Sequence, residues 1–356
     1  MIRKPRFYAV VALALALAGL GAGGCSSSSS SSSPSDSSST VGASASASAS
    51  ASASAAGSIN LSSVTLNIGD QKGTGAEAVL SAAGLLNTLP FHVNWSDFTS
   101  GPPMLQAMAS GSVDIGGVGD APPVFAASGG EAIEIVGART TNGDQDAVVV
   151  PKNSPITSIQ QLKGKKIAYG SGSSGNYDLL TVLTKAGLTT KDVTLVNLQP
   201  AEALAAFTSG AVDAWDIWPP YVQQVVAQDG ARVLATGSGY GSPYSFEVAS
   251  KAALADPAKA TAIKVYLTTL DKAYVWAATH PSAWAVAWGK AAGLPTSIMN
   301  VAAKVDATTP VPVTSATVTS EQSLVDRFYA AGLIPNKVDI SGYITTEFNG
   351  TVSGSS

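Results

Sequence analysis

The chain has 356 residues, enough for two or three domains, and only 12% of them are charged, about half the share usual in soluble domains. Its formal net charge of −4 excludes the strongly basic surface on which nucleic-acid binding depends, so no nucleic acid is expected as a partner. One cysteine and two histidines are too few for a disulfide framework or a thiolate–imidazole metal site, so neither a metal nor a cofactor is expected.

The first 24 residues have the three parts of a secretory signal peptide. Three basic residues near the start precede an apolar run of 14 residues from Phe7 to Leu20, and small residues follow as far as Gly24. The run is shorter than the roughly 20 residues that a membrane-spanning helix needs. Cys25 follows directly, and a lone cysteine at this boundary resembles the lipidated cysteine of bacterial lipoproteins, which implies membrane attachment through an N-terminal lipid. The alternative is an ordinary cleaved signal followed by an incidental cysteine.

Residues 25–58 are predicted to form a disordered tether behind this anchor. From Ser26 to Ala56 the chain has 18 serines and 8 alanines in 31 residues, a composition that cannot bury enough apolar surface to fold. We therefore expect a tether that keeps a folded unit near a membrane partner; a sugar-decorated cell-wall spacer is the alternative. Without the three basic residues of the signal, the rest of the chain carries 17 basic and 24 acidic residues, a formal charge of −7.

From residue 59 onward, apolar strand-like runs alternate with helical patterns, which is typical of α/β units built on mostly parallel sheets. The first series comprises strands Val64–Ile68, Phe91–Asp97, Val113–Gly117, Ile133–Gly137 and Ala147–Val150, with helices Ala76–Leu86, Pro102–Ala109 and one from Ala121. The second comprises strands Lys166–Tyr169, Val193–Leu198, Val212–Ile217 and Val233–Leu234, with helices Gly175–Ala186, Pro200–Thr208 and Pro219–Gln228. Beyond Tyr244–Ser250 the predicted elements are the helices Pro257–Thr279, Pro281–Ala291, Ser297–Lys304 and Ser320–Ala331.

A short internal similarity suggests that the two series form two similar lobes. The sequence SGSVD at Ser110–Asp114 and the sequence SGAVD at Ser209–Asp213 each lead, through a strand, to a helix that begins near two prolines. We therefore assign residues 59–150 and 243–356 to lobe 1 and residues 151–242 to lobe 2. In open α/β sheets, ligands bind beyond the carboxyl ends of the strands, so two facing lobes would bring these loops to one cleft.

Three glycine-rich loops of this predicted cleft are candidates for binding an oxyanion. Each follows a predicted strand and leads to a helix N-terminus, whose unpaired N–H groups and partial positive charge attract anions. Their sequences are QKGTG (Gln71–Gly75), GVGDAP (Gly117–Pro122) and GSGSSGN (Gly170–Asn176). The alternative is that the glycines only form tight turns and the serines only cap helices.

A fourth loop, Trp215–Tyr221, combines aromatic rings with a carboxylate. Trp215 and Trp218 would offer a flat apolar wall to the carbon part of a ligand, and Asp216 could bind an amine. Core packing is the alternative for both tryptophans. Neither histidine of the chain belongs to a recognisable nucleophile–base–acid set, so no catalytic residue and no enzyme activity are predicted.

Six motifs occur in an order that resembles one family of transport proteins. They are LNIGDQKGTG (Leu66–Gly75), GSVDIGGVGDAPPVFAA (Gly111–Ala127), SPITSIQQLKGKKIA (Ser154–Ala168), GSGSSGNYDLL (Gly170–Leu180), SGAVDAWDIWPPY (Ser209–Tyr221) and FYAAGLIP (Phe328–Pro335). Together they are similar to the aliphatic-sulfonate-binding proteins of ABC importers, within the sulfonate, nitrate and taurine group. The resemblance covers nearly all of the chain from Val64 to Pro335.

The resemblance implies an α/β, two-lobed periplasmic-binding-protein fold of type II, which closes on a ligand in the cleft between its lobes. It also implies that hydroxyl and main-chain N–H groups of the cleft loops hold the sulfonate. The residues carried over for the anion end are Gln71, Gly119, Asp120, Ser173, Ser174, Gly175 and Asn176, and those for the tail wall are Trp215 and Trp218. The chain departs from the family pattern at Asp70, where a tyrosine is usual, and at Ser174, where a bulkier residue is usual.

The resulting hypothesis is a monomeric, lipid-anchored, extracytoplasmic binding protein that delivers small organosulfonate anions to an ABC permease. Taurine, nitrate, an aromatic sulfonate or another small anion is the alternative ligand, and Asp216 would then bind the ammonium of taurine. An enzyme on the same fold, such as a thiamine-pyrimidine synthase, and a sensor that presents ligand to a membrane receptor kinase are the alternative functions. Because the net charge is negative, affinity for an anion is expected to come from preorganised amide dipoles rather than from long-range attraction.

Overall fold

The computed structural model describes residues 59–71, 75–141, 143–238 and 242–352. The predicted signal peptide, Cys25 and the tether lie outside these residues, and so do Lys72, Gly73 and Thr74 of the first glycine-rich loop. Within the described ranges, no helix combines the length and the apolar character needed to cross a membrane.

Strands and helices alternate along the described residues, as the sequence patterns predict. The strands are β1 (Thr65–Gln71), β2 (His92–Phe98), β3 (Ile115–Val118), β4 (Ile133–Thr140), β5 (Ala147–Val150), β6 (Lys166–Tyr169), β7 (Thr194–Asn197), β8 (Ala214–Ile217), β9 (Arg232–Thr236), β10 (Tyr244–Ser250) and β11 (Thr309–Val311). The helices are α1 (Ala76–Ala82), α2 (Gly101–Ala109), α3 (Ala121–Gly129), α4 (Ser174–Lys185), α5 (Pro200–Thr208), α6 (Tyr221–Asp229), α7 (Lys251–Ala255), α8 (Pro257–Thr279), α9 (Pro281–Ala292), α10 (Thr296–Val305) and α11 (Ser315–Ala330).

The strands form two sheets that share one strand order. Sheet 1 has the order β11–β4–β10–β3–β1–β2, and sheet 2 has the order β7–β6–β8–β5–β9. In each sheet, four strands of the lobe run parallel, and one antiparallel strand that arrives from the other lobe, β10 or β5, lies between the third and the fourth. Sheet 1 has a sixth strand, β11, which pairs antiparallel with β4 at the edge. This is the type II order that the resemblance implies, and it confirms the two-lobed α/β fold.

The chain enters the second sheet before residue 150, the lobe boundary that was predicted from the sequence. A boundary at residue 150 places β5 in lobe 1, but β5 pairs with β8 and β9 of sheet 2. All four residues of β5 are buried, so its apolar pattern suits a central strand of either sheet and does not identify which. The chain therefore passes from sheet 1 to sheet 2 between β4 and β5, and it returns to sheet 1 between β9 and β10.

Helix α11 bridges the two lobes beside the cleft, although the sequence-based assignment places it in lobe 1. Phe328 of α11 is fully buried, and its ring centre lies 4.9 Å from that of Phe125 in α3 and 5.7 Å from that of Tyr177 in α4. The helix begins at Ser315, five residues before its predicted start, because Thr314 and Thr317 form a reciprocal cap at its N-terminus.

Candidate ligand-binding site

A cavity of about 110 Å³ lies between the two lobes. Its lining includes the last residue of β1, residues of the loops that follow β3 and β8, and the turn between β6 and α4, so it lies at the carboxyl ends of strands in both sheets. The sequence-predicted site residues that line it are Gln71, Gly119, Asp120, Ser173, Ser174 and Trp218. The structure thus brings described residues from all four predicted loops to one place.

The lobes touch each other closely beside this cavity. Gly119 of lobe 1 lies against Ser174 of lobe 2, and a β-carbon on Gly119 would be only 2.9 Å from Ser174 Cβ. At the rim, Thr99 Oγ1 and Ser100 Oγ of lobe 1 both donate to Gln199 Oε1 of lobe 2, at 2.7 and 3.0 Å. The described conformation is therefore one in which the lobes are closed on each other at these points.

Two helix N-termini, one from each lobe, are directed at the cavity. Asp120 precedes α3 and accepts a hydrogen bond from the Ala121 N–H at 2.7 Å. Ser173 caps α4, and its hydroxyl donates to the Gly170 carbonyl at 2.7 Å. The Ser173 hydroxyl is therefore committed to the helix cap, and the partial positive charge of the helix ends is what this part of the wall offers to an anion.

The end of β1 contributes an amide to the cavity and turns a carboxylate away from it. Gln71 lines the cavity, and its Nε2 donates to the Gly117 carbonyl at 2.7 Å. Asp70 is buried and accepts hydrogen bonds from the Ala76 and Glu77 N–H groups, both at 3.0 Å. The unusual carboxylate at position 70 therefore binds the N-terminus of α1, and it does not line the cavity.

Four of the predicted site residues do not line the cavity: Gly175, Asn176, Trp215 and Asp216. Trp215 is fully buried in the core of lobe 2, with Phe207 and Tyr221 beside its ring, so it packs in the core rather than forming a ligand wall. Asn176 Oδ1 accepts from the Gly172 N–H at 3.0 Å and so fixes the shape of the glycine-rich loop.

The cavity also contains charged residues that the sequence patterns did not single out: Arg139, Asp146, Asp178 and Asp306. Arg139, near the end of β4, forms a buried ion pair with Glu247 of β10, and its guanidinium carbon lies 4.3 Å from the centre of the Tyr274 ring. An arginine inside the apolar strand sequence IVGART is the one sequence signal that could have identified it. Asp146 lies between β4 and β5, Asp178 in α4 and Asp306 directly after α10. Carboxylates are common in such places, so only the fold shows that these three line one cavity.

Burial raises the pKa of these cavity carboxyls. It raises the pKa of Asp146 to about 6, although a hydrogen bond from Ser174 opposes the shift. It raises the pKa of Asp306 to about 7, against the attraction of Arg139. Asp178 and Asp216 lie side by side, and burial, followed by the negative charge of neighbouring carboxyls, raises the pKa of both well above their usual range. This pair therefore keeps a proton to a higher pH than two separate, exposed carboxyls would.

The arrangement of side chains in the described ranges does not suggest a metal centre, since no three His, Cys, Asp or Glu residues there are grouped to hold a metal ion. The cavity instead combines helix N-termini, amide groups and the ring of Trp218 with carboxyls whose pKa burial raises. Such a site is suited to a small polar molecule with an oxyanion rather than to a metal ion.

Comparison with known proteins places the chain in a family. A family profile described as "NMT1/THI5 like" matches residues 100–284. A protein of Escherichia coli (strain K12) named as an aliphatic sulfonates-binding protein is 35% identical over 284 residues, which cover 78% of this chain and 88% of that protein.

Two solved structures support the same relationship. The alkanesulfonate-binding protein SsuA from Xanthomonas axonopodis pv. citri, bound to MOPS, superimposes with a TM-score of 0.75 at 30% identity and covers 80% of this chain and 99% of its own. The periplasmic aliphatic sulphonate binding protein SsuA from Escherichia coli gives a TM-score of 0.70 at 34% identity, over 79% of this chain and 92% of its own. The chain therefore belongs to the NMT1/THI5-like family, as a relative of the aliphatic sulfonate-binding proteins.

Proposed function

We propose that the chain is an extracytoplasmic solute-binding protein that captures small organosulfonates between its lobes and delivers them to an ABC permease. The observation that carries this proposal is the meeting of two helix N-termini, from α3 and α4 of opposite lobes, at one cavity. Such helix ends bind oxyanions through N–H groups and partial positive charge. Membership of the family supports the role, since its relatives are named for binding sulfonates.

In this proposal, capture depends on closure of the lobes over the ligand. The sulfonate oxygens accept hydrogen bonds near the N-termini of α3 and α4, and the amide of Gln71 adds a fixed polar group. The carbon part of the ligand lies against Trp218 and Tyr177, which also line the cavity. Closure excludes water, so these hydrogen bonds are stronger than they would be at an open surface. The closed form is then the state that the permease recognises, and the proposal includes no catalysis.

The N-terminal segment supports a second part of the proposal. A signal peptide over residues 1–24 would direct export, and an acyl group on Cys25 would anchor the protein at the outer face of the plasma membrane. Detergent partitioning of the full-length protein produced in a bacterium tests this: the wild type should enter the detergent phase and Cys25→Ser should not. A mature N-terminus other than residue 25, or equal partitioning of the two proteins, would overturn the anchor.

The ligand class is tested by calorimetry on the purified folded part with C2–C8 alkanesulfonates, taurine and homotaurine. The buffers must not themselves be sulfonates. We expect saturable binding of one ligand per chain, and a Trp218→Ala variant that binds more weakly without losing its fold. If no sulfonate or sulfate ester binds protein that is folded by circular dichroism, the proposed function is wrong. Nitrate and aromatic sulfonates in the same series test the alternative ligands.

A further inference from the structure

The charged side chains that line the described part of the cavity are mostly acidic. They are Asp120, Asp146, Asp178 and Asp306, together with Arg139. Arg139 is already engaged in its buried ion pair with Glu247. An alkanesulfonate would therefore bring a negative charge to a cavity whose described lining has no uncommitted cationic side chain.

Asp178 is the cavity acid whose charge the surrounding protein compensates least. It is 3% exposed, and neither of its carboxyl oxygens has a hydrogen-bond donor among the described residues. Asp216 lies beside it, fully buried, and its two oxygens lack a donor as well. The two carboxyls satisfy each other only by sharing a proton, since an ionised carboxylate only accepts hydrogen bonds. Buried polar groups are normally paired, so an unpaired one that lines a cavity points to a ligand.

Two glycines provide the space in which this pair of acids fits. A β-carbon on Gly237 would lie 2.6 Å from Asp178 Oδ1, and a β-carbon on Gly175 would lie 2.7 Å from Asp216 Oδ1. Any side chain at either position would displace a carboxyl group. Asp146 is also near enough for its charge to act on Asp178. The local structure therefore accommodates a concentration of carboxyl oxygens at this end of the cavity.

We propose that the cleft binds organosulfonates that carry a positively charged amine, with Asp178 contacting the amine and Asp216 acting as a positioning residue for Asp178. This narrowing of the ligand rests on the proposed function. An ammonium group brings three donors and a full positive charge to oxygens that have neither. The sulfonate end remains with the N-termini of α3 and α4, so the two ends of the ligand meet opposite charges in one cavity.

The opposite assignment is that a protonated Asp178 donates a hydrogen bond to a sulfonate oxygen. The groups that face Asp178 are Asp146, Asp120 and Asp216, all of which are acidic, so the two assignments differ in the sign of proton exchange. An ammonium favours the ionised form of Asp178, so its binding releases a proton and strengthens as the pH rises through the range in which the Asp178–Asp216 pair loses its proton. A sulfonate held by the carboxylic acid takes up a proton and weakens over the same range.

Matched pairs of ligands test the proposal. Taurine and 1-propanesulfonate differ by an ammonium in place of a methyl group, and homotaurine and 1-butanesulfonate differ in the same way. We expect the amine of each pair to bind wild-type protein at least tenfold more tightly. We also expect proton release on binding, measured by calorimetry in two non-sulfonate buffers of different ionisation enthalpy.

Three variants then assign the residues. Asp178→Asn should abolish the preference for the amine, whereas Asp216→Asn should retain the preference and release fewer protons, because an amide does not share a proton with Asp178. Glu321→Gln removes a buried carboxyl that does not line the cavity, and it should behave like the wild type. Thermal unfolding verifies that each variant is folded, and Asp178→Ser replaces Asp178→Asn if the latter is not.

Each adverse result overturns a different statement. Equal or tighter binding of the alkanesulfonate, or uptake of a proton, refutes the amine while the sulfonate-binding function stands. An unchanged preference in the folded Asp178 variant, whether asparagine or its serine replacement, refutes the assignment of Asp178. Failure of all sulfonates to bind the folded wild type refutes this proposal and the proposed function together.

Discussion

Replacing Gly119 with alanine tests whether ligand binding depends on the close approach of the two lobes. A β-carbon added to Gly119 would lie 2.9 Å from Ser174 Cβ and 3.2 Å from Ser174 Oγ. Carbon atoms in favourable contact are about 3.5–4.0 Å apart, so the lobes would have to separate by on the order of 0.6–1 Å. Rotation of the Ser174 side chain cannot relieve this overlap, because its Cβ is attached directly to the backbone of α4.

The expected cost falls on ligand affinity rather than on the stability of the empty protein. Overpacking by one methyl group costs about 1–3 kcal/mol. The ligand-free protein avoids this cost by opening, whereas the closed, ligand-bound form does not. The difference corresponds to a dissociation constant about 5- to 150-fold higher at 25 °C, with little change in the melting temperature measured without ligand.

Calorimetry with the tightest-binding sulfonate measures this effect, and the same chain offers a matched control. Gly129, at the end of α3, has no atom within 4 Å of the place where a β-carbon would lie. Gly129→Ala should therefore bind as the wild type does and be slightly more stable, because alanine is favoured over glycine in a helix by about 0.5–1 kcal/mol. In a Ser174→Gly background, Gly119→Ala should cost much less affinity than it does alone. Wild-type affinity in folded Gly119→Ala would refute the dependence on lobe closure.

Three further predictions concern stability and ligand contact. Trp215→Ala should lower the free energy of unfolding by about 3–5 kcal/mol, because it empties a core site, whereas Trp218→Ala should mainly weaken sulfonate binding; urea unfolding and calorimetry separate the two. Arg139→Met should cost about 3–5 kcal/mol, because it leaves Glu247 buried without its partner, and adding Glu247→Leu should recover much of that loss in the same urea assay. Burial raises the pKa of Asp306 from 3.8 to about 7. Between these two pH values the folded state still binds this proton and the unfolded state has lost it, so raising the pH favours unfolding. Resistance of the ligand-free protein to urea should therefore fall as the pH rises from about 5 to about 8, and Asp306→Asn should reduce that fall.

Much of the fold could be predicted because the central strands of both sheets are mostly buried apolar runs bounded by turns. Helix α8 begins at Pro257, directly after Asp256, which accepts hydrogen bonds from the Ala258 and Lys259 N–H groups. The start of α8 is therefore determined by neighbouring residues and can be predicted from the local sequence. The lobe to which β5 belongs could not be predicted, because pairing partners far away in the chain decide it. The bridging position of α11 likewise depends on Phe125 and Tyr177, which lie in different lobes.

The cleft loops could be predicted because ligands of α/β proteins bind where strands end, and glycine-rich turns mark those ends. What each residue does there could not be predicted in the same way. Trp215 and Trp218 stand in one short motif, yet alternation along and beyond β8 buries the first ring in the core and turns the second to the cavity. The sequence does not identify Asp178 as a site residue, because acidic residues are common in the first turns of helices. Only the fold shows that its buried carboxyl oxygens have no hydrogen-bond donor.

The charge of the cavity before binding decides which ligands it can enclose at low cost. The described acids of the lining have raised pKa values, and Arg139 and Glu247 neutralise each other, so the empty cavity is less negative than its composition suggests. A purely anionic sulfonate adds a charge that no free cationic side chain of the described lining compensates, and helix ends supply only about half a positive charge each. An aminosulfonate carries no net charge, and in the proposed complex its ammonium takes the place of a proton of the Asp178–Asp216 pair. Enclosure of such a ligand therefore leaves the closed cavity with its charges paired, which is the physical reason to expect proton release when the lobes close.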